Sequence, residues 1–241
     1  MRCLNVKKIK LLVAIMAVLP GITYAYVTAT PFPGTKDGIN IKSLDSVDVS
    51  TKEKIIKHFK ISHQKNAYIN TSATDEDFNS LYNIPKVSKQ ETNKYDNNPN
   101  PLDTHLRSDI SKLRLSFKFL GVPGLSKDNI IGFAPAGGYT HEKGWDGIVE
   151  FFEMPNMGVC SFTTFSIKSA ILYKEAIEYL VNKKPSEKDI SGNWNAGFIY
   201  KLNWYTNNRR NSLECASKNL DDGYMDKMVL IANQVDNELI N

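Results

Sequence analysis

The stretch 134–147 holds the densest group of side chains in the chain that could do chemistry. It reads APAGGYTHEKGWDG, and its candidate ligand-binding residues are Tyr139, His141, Glu142, Trp145 and Asp146. Aromatic rings beside an imidazole and carboxylates can stack on a sugar, a peptide or another flat ligand. Because function often resides in the connections between strands, this long, glycine-rich loop is a candidate binding site. The alternative is a compact surface loop that Trp145 pins over the sheet.

Histidine spacing does not predict a zinc site. His141-Glu142 begins like the HExxH motif of zinc proteases, but HEKGW lacks the second histidine that would face the same metal from the next helical turn. His58 and His63 are five positions apart. That spacing does not bring two imidazoles together on either a helix or a strand.

The acidic run in the first half does not predict a calcium loop. Asp75, Asp77 and Asn79 have the spacing of oxygen ligands, but Ser80 and Lys86 stand where such a loop needs glycine and glutamate. The start of a capped helix explains the acidic residues better. The sequence also has no P-loop, nucleophile elbow or dinucleotide motif. We therefore predict no metal and no cofactor.

Two further pairs of charged residues are weaker candidates for a functional site. Arg209 and Arg210 follow a predicted hairpin turn and could grip a carboxylate or a phosphate, although a solvated turn is the simpler interpretation. Glu150 and Glu153 are three apart on one predicted strand. Their side chains should therefore point to opposite faces, which makes them a poor acid–base pair.

Residues 1–25 have the pattern of a cleavable secretory signal. A basic start without acidic residues precedes the apolar run 11–19, and 23–25 (TYA) offers a small-residue cleavage site. Cleavage after Ala29 is a minor alternative. The apolar run is half the roughly 20 residues of a membrane span. Cys3 precedes the run, where a lipid-accepting cysteine would not lie. We expect export to a periplasm or to the extracellular medium.

Export changes the interpretation of charge. The full chain carries 30 basic and 26 acidic residues, for a net charge of +4. Four basic residues and no acidic residue lie in the predicted signal, so the mature chain is formally neutral. A neutral chain does not favour nucleic acid as a partner. No later apolar run is long enough to predict a membrane span.

The cysteine count predicts one disulfide. Cys3 lies in the predicted signal, which leaves Cys160 and Cys215 in a chain bound for an oxidising compartment. The alternative is that one of them is a nucleophile, but no histidine motif lies near either.

The composition divides the chain into a signal at 1–25, an N-terminal region at 26–100 and a core domain at 101–241. Residues 86–100 (KVSKQETNKYDNNPN) are polar and form the predicted linker. Residues 26–42 are rich in Pro, Gly and Thr, which is typical of an extended arm.

Two short helices are predicted in the N-terminal region. Ser50 with Glu53 forms a capping box, and Thr74 with Asp77 resembles a second cap. Each helix is too short to be stable alone, so both should dock on a larger unit.

Alternating and helical patterns in the second half predict an α+β fold with a largely antiparallel sheet, in the order ββββ-α-ββ-α. A mostly irregular, short-helical N-terminal region precedes it. The predicted strands are 113–119, 129–134, 147–154, 159–167, 198–204 and 213–217. The predicted helices are 168–183, which Pro185 should end, and a last one capped by Asp221 or Asp222.

We expect a non-enzymatic binding or interaction module of the cell envelope or the secreted milieu. Its partner would be another protein, a small molecule or a carbohydrate. The competing hypothesis is a secreted hydrolase of unfamiliar type that uses His141 with Glu142 or Asp146. Acid–base catalysis would require these groups to converge within about 3 Å of one reacting atom.

Overall fold

The computed structural model of the chain describes residues 26–28, 38–62, 68–70, 74–87 and 102–239. The predicted signal, Cys3, His63 and most of the predicted linker lie outside the described residues. The helices are α1 (Val49–Ser62), α2 (Thr74–Tyr82) and α3 (Gly223–Leu239). The strands are β1 (Tyr26–Thr28), β2 (Gly38–Lys42), β3 (Ile69–Asn70), β4 (Ile130–Thr140), β5 (Gly144–Met154), β6 (Gly158–Ser166), β7 (Ser169–Tyr173), β8 (Glu178–Val181), β9 (Lys184–Asn193), β10 (Gly197–Tyr205) and β11 (Arg209–Ser217).

An eight-stranded sheet forms the centre of the fold. Its strands run in the order β3-β9-β10-β11-β6-β5-β4, and β8 pairs with β9 outside this path. Neighbouring strands are antiparallel, except that the two-residue β3 lies parallel to β9. The predicted α+β class with a largely antiparallel sheet is therefore confirmed. A smaller sheet, β1-β7-β2, packs beside it.

One face of the large sheet is buried under α3. The aromatic side chains of β10 and β6, among them Trp204 and Phe162, form this face, and Met228 of α3 packs on it. Cys160 and Cys215 are directly opposed on β6 and β11 and form the predicted disulfide. Closing a loop of 55 residues stabilises the fold by about 4 kcal/mol in the chain-entropy treatment.

The other face is covered at one end by α2. Phe78 and Leu81 of this helix pack against Val149, Phe151 and Ile199 of the sheet. Helix α1 buries Ile55 in a small cluster with Tyr173. Both short helices therefore dock on the second half of the chain, as their length requires.

The cap of α1 differs from the prediction. The Asp48 carboxylate accepts a hydrogen bond from the Thr51 N–H at 3.0 Å, and Ser50 lies within the helix. At the last helix, the predicted role of Asp221 is confirmed because its carboxylate accepts from the Gly223 N–H at 2.8 Å.

The helix predicted at 168–183 is wrong. The segment contains β7, a short 3-10 helix (Lys174–Ala176) and β8. Asn182 and Lys183 have φ angles of 44° and 60° and turn the chain directly into β9, which includes Pro185. Strand β7 gains partners on both sides, from β1 and β2, and this non-local pairing outweighs the helical spacing of the apolar residues.

The segment 113–119, predicted as a strand, does not join the ladder. It makes one isolated bridge, between Leu115 and Trp145. The predicted alternation is nevertheless present, because Leu113, Leu115, Phe117 and Phe119 are more buried than the residues between them.

The remaining strand predictions are confirmed to within four residues at their ends, except that β4 continues six residues beyond the predicted strand 129–134. The hairpin turn predicted before Arg209 joins β10 to β11 through Asn207-Asn208. Asparagine is common in turns because it tolerates positive φ angles, but neither of these residues takes one. The turn is closed instead by the Thr206 N–H, which donates to the Arg209 carbonyl at 2.9 Å.

Asp236 anchors α3 to the sheet. Its carboxylate is 1% exposed and accepts from Lys184 Nζ at 2.5 and 2.6 Å, Asn182 Nδ2 at 2.8 Å and Trp204 Nε1 at 3.1 Å. These donors come from the β8–β9 turn and from β10. One buried side chain therefore ties three elements together.

Replacing this carboxylate should destabilise the whole domain. For Asp236→Ala we expect the free energy of unfolding to fall by about 2–3 kcal/mol, because Lys184 and the Trp204 N–H lose their acceptor inside the protein. Urea unfolding of the oxidised protein measures the effect. Glu238→Ala, at an exposed position of the same helix, is the control and should change stability by less than about 0.5 kcal/mol. Equal effects of the two substitutions would contradict the anchor role.

Candidate functional site

The stretch 134–147 is the end of a β-hairpin, and the predicted long loop is wrong. Strands β4 and β5 continue their pairing to Thr140 and Gly144, which leaves only 141–143 as the turn. A register shift between Ala136 and Tyr139 accommodates the glycines, and Gly137 has a φ of +71°. The glycines therefore bend a strand pair.

The hairpin end presents three rings in contact. Tyr139 and Trp145 are cross-strand partners with ring centroids 5.4 Å apart, tilted by 57°. The His141 ring stands edge-on to Tyr139 at 5.6 Å. Tyr139 and Trp145 are half-buried and His141 is exposed. The structure thus brings together the three ring residues that the sequence singled out.

The segment 113–119 holds the hairpin from the outside. The Trp145 N–H donates to the Arg114 carbonyl and the Ser116 N–H donates to the Trp145 carbonyl, both at 2.8 Å. The Arg114 guanidinium also donates to the Glu142 carbonyl at 2.7 Å, at the turn. Both the strand and the turn are therefore fixed to a neighbouring segment.

Asp146 has a structural role within the hairpin. Its carboxylate accepts from the Gly138 N–H at 2.8 Å across the strand pair. Its carbonyl accepts from Arg209 Nη2 at 3.0 Å. Asp146 therefore links the hairpin end to itself and to β11.

Arg209 also packs against other side chains, in addition to its hydrogen bond to the Asp146 carbonyl. Its guanidinium lies over the Phe117 ring at 3.9 Å, and its Nε donates to Thr164 Oγ1 at 3.0 Å. Burial holds the pKa of Arg209 below its ordinary value. Arg210 donates to Asn203 Oδ1 at 3.4 Å from the opposite face. The structure therefore does not assemble the two arginines into one anion clamp.

The acid–base set of the hydrolase hypothesis is not assembled in the described part of the chain. Asp146 faces the Gly138 amide, and Glu142 is exposed on the turn with its carbonyl held by Arg114. Among the described residues, His141 contacts the Tyr139 ring and no carboxylate. The chemistry that this arrangement supports is stacking, with polar groups at its edge.

A polar strip, which is not predicted from the sequence, crosses the sheet face that α2 covers at one end. Lys201 Nζ contacts Glu214 Oε1 at 2.7 Å, and Ser212 donates to the same oxygen at 3.1 Å. Burial alone would raise the pKa of Glu214, but Lys201 and Arg210 hold it below its ordinary value. The signal was the alternation of Lys201 and Asn203 with the large apolar residues of β10.

Tyr205 and Glu187 continue this strip toward the smaller sheet. The Tyr205 hydroxyl donates to Glu187 Oε2 at 3.1 Å inside the protein. Burial raises the pKa of Tyr205 well above its ordinary value, and the neighbouring carboxylate adds to the shift.

Glu150 and Glu153 point to opposite faces, as predicted. Glu153 is exposed, whereas Glu150 is wholly buried. Its Oε2 accepts from the Val122 N–H at 2.7 Å. Burial raises the pKa of Glu150 to about 7, and the Val122 hydrogen bond only partly opposes that shift.

The other histidines and acidic residues do not form a metal centre in the ranges that the structure describes, where no group of three or more metal-ligating side chains converges. His105 contacts Asp103: burial would raise the pKa of Asp103, but hydrogen bonds from His105 hold it low. Asp75, in the acidic run that the sequence assigned to a helix start, lies on α2 and accepts from Asn193 Nδ2 at 2.6 Å. No helix in the described ranges is long and apolar enough to cross a membrane.

No protein family model, curated protein or solved structure matches this chain.

The hairpin geometry predicts a specific sensitivity at Gly137. A Cβ there would lie 2.0 Å from Asp146 Oδ1 and 3.1 Å from Phe165 Cβ, so the carboxylate would have to leave the Gly138 amide. We expect Gly137→Ala to cost about 1–2 kcal/mol more stability than Gly124→Ala, measured by urea unfolding. Gly124 is a matched control, because its φ is +76° and nothing lies within 4 Å of its added Cβ. Equal costs would show that the Asp146 contact does not hold the hairpin.

Proposed function

We propose that this chain is an exported, non-enzymatic binding protein, and that the aromatic end of the β4–β5 hairpin is its recognition surface. The observation that carries the proposal is the contact of Tyr139, His141 and Trp145 on a strand pair whose backbone is fixed by its neighbours. A surface that is already ordered loses little conformational entropy when a ligand binds.

The ligand that suits this surface best is a small carbohydrate. Tyrosine and tryptophan rings offer flat apolar faces to the C–H face of a sugar. The exposed His141 and Glu142 lie beside the rings and can form hydrogen bonds with sugar hydroxyls. A formally neutral mature chain adds no preference for a strongly charged ligand.

Export to the periplasm or the extracellular medium is supported by two features of the chain. The Cys160–Cys215 disulfide is typical of oxidising compartments. The first 25 residues have the composition of a cleavable signal.

A binding screen with matched variants tests the proposal. The oxidised chain from residue 26 onward is titrated with short oligosaccharides of glucose, galactose and N-acetylglucosamine, using calorimetry. For any sugar bound, Trp145→Ala should weaken the affinity by roughly 30-fold, as expected when a central aromatic contact is lost. Trp194→Ala removes an exposed indole at the β9–β10 turn and should leave the affinity unchanged.

Two outcomes would overturn the proposal. One is a failure of the hairpin to recognise sugar, seen either as no binding to any sugar of the panel or as an equal loss in the Trp194→Ala variant. The other is cleavage of a bound oligosaccharide that His141→Ala abolishes, which would favour the hydrolase hypothesis instead.

A further inference from the structure

Glu150 lies in an apolar layer on the face of the sheet that α3 also covers. Phe133 on β4 and Phe162 on β6 are its cross-strand partners, and Phe152 follows it on the same face of β5. Its side chain has 0% exposure. The carboxyl group is therefore shielded from solvent and surrounded by phenylalanine side chains.

Residues 119–125, which we call the cover segment, close over Glu150. Phe119 and Val122 point into the apolar layer, and the Val122 N–H donates to Glu150 Oε2 at 2.7 Å. Gly121 brings the backbone so close that an added Cβ would lie 3.6 Å from both carboxylate oxygens. The segment contributes no strand to the sheet, so no ladder of backbone hydrogen bonds holds it there.

The second oxygen of Glu150 finds no hydrogen-bond partner among the described residues. Strands β4 and β6 contain no charged residue. On the adjoining segments, Lys118, Lys127 and Asp128 are exposed, and Arg107, next to β4, pairs with Asp103. Ionised Glu150 would therefore be a buried charge without a counterion, which is an unfavourable state.

We propose that Glu150 is a proton-dependent latch: its neutral carboxyl keeps the cover segment closed, and ionisation favours an open form in which water reaches the carboxylate. Opening would expose Phe133 and Phe162 around a negative charge. Glu150 lies five residues after Trp145 on the same strand, β5, but the latch does not depend on the binding function proposed for the hairpin end.

The direction of the pH effect follows from the raised pKa. Below about pH 4.5, the ordinary value, the carboxyl is protonated in both forms and the closed form has its full stability. As the pH rises, the open form gains by releasing the proton first, and the closed form continues to lose stability until the pH exceeds about 7. Neutral and alkaline solutions therefore favour opening.

Amide hydrogen exchange of the oxidised chain tests the latch. After correction for the intrinsic rates, protection of the cover segment should fall by roughly tenfold or more between about pH 5.5 and about pH 8. In Glu150→Gln, which keeps an acceptor for the Val122 N–H but cannot ionise, the protection should be independent of pH. Glu153→Gln, at the exposed position of the same strand, should behave like the wild-type chain.

Two results would contradict the latch. Protection that is equal at both pH values in the wild-type chain is one, and the same pH dependence in Glu150→Gln is the other. If Glu150→Gln does not fold, carboxyl carbon NMR of the wild-type chain decides: the Glu150 signal should titrate together with the loss of cover-segment protection. A Glu150 signal that titrates near the ordinary value of 4.5 would overturn the proposal.

Discussion

The pairing of β6 with β11, fixed by the Cys160–Cys215 bridge, is the constraint on which the rest of the structure depends. The two cysteines are opposed in register at the centre of an eight-stranded sheet, and both are wholly buried. Strands β5 and β4 extend the sheet on one side, and β10 and β9 extend it on the other. A slip of one residue in this central pair would exchange the two faces of the strand, so the bridge also fixes which side chains meet α3 and which meet α2.

The same sheet carries the proposed recognition surface at one edge. Strand β5 pairs with β6 along most of its length, and its first residues continue past the end of β6. Trp145 therefore lies beside Tyr139 of β4. Arg209 at the start of β11 reaches across to the Asp146 carbonyl, which connects the hairpin end to the central pair. The aromatic surface is thus an extension of the sheet, and its geometry is set by strands that lie far away in sequence.

The sequence could predict the features that have a local signature. Strands β5, β6 and β10 alternate or are continuously apolar, α3 has an acidic cap and an apolar stripe, and two cysteines in a chain with an export signal suggest one disulfide. The residues of the hairpin end could be identified by type, but their arrangement could not. Glycines in 134–147 are equally compatible with a loop and with a bulged strand pair, and only pairing with β5 distinguishes the two.

Features that depend on non-local strand pairing could not be predicted from the sequence. Ile171, Ala176, Ile177 and Leu180 have helical spacing, yet the positions between β1 and β2 and beside β9 are filled by strands. The burial of Glu150 could not be predicted from the sequence either, because the segment that covers it lies about 30 residues earlier in the chain. A single strand pattern shows which residues share a face, but not what packs on that face.

The order of the free hairpin tests most directly whether the recognition surface is preformed. Amide ¹⁵N relaxation of the ligand-free, oxidised chain gives an order parameter for each residue from Tyr139 to Trp145. We expect values near about 0.85, like those of the central strands, because the segment 113–119 and Asp146 hold the hairpin end. Values below about 0.6 across this stretch would contradict a preformed surface, because the hairpin end would then be flexible before any ligand binds.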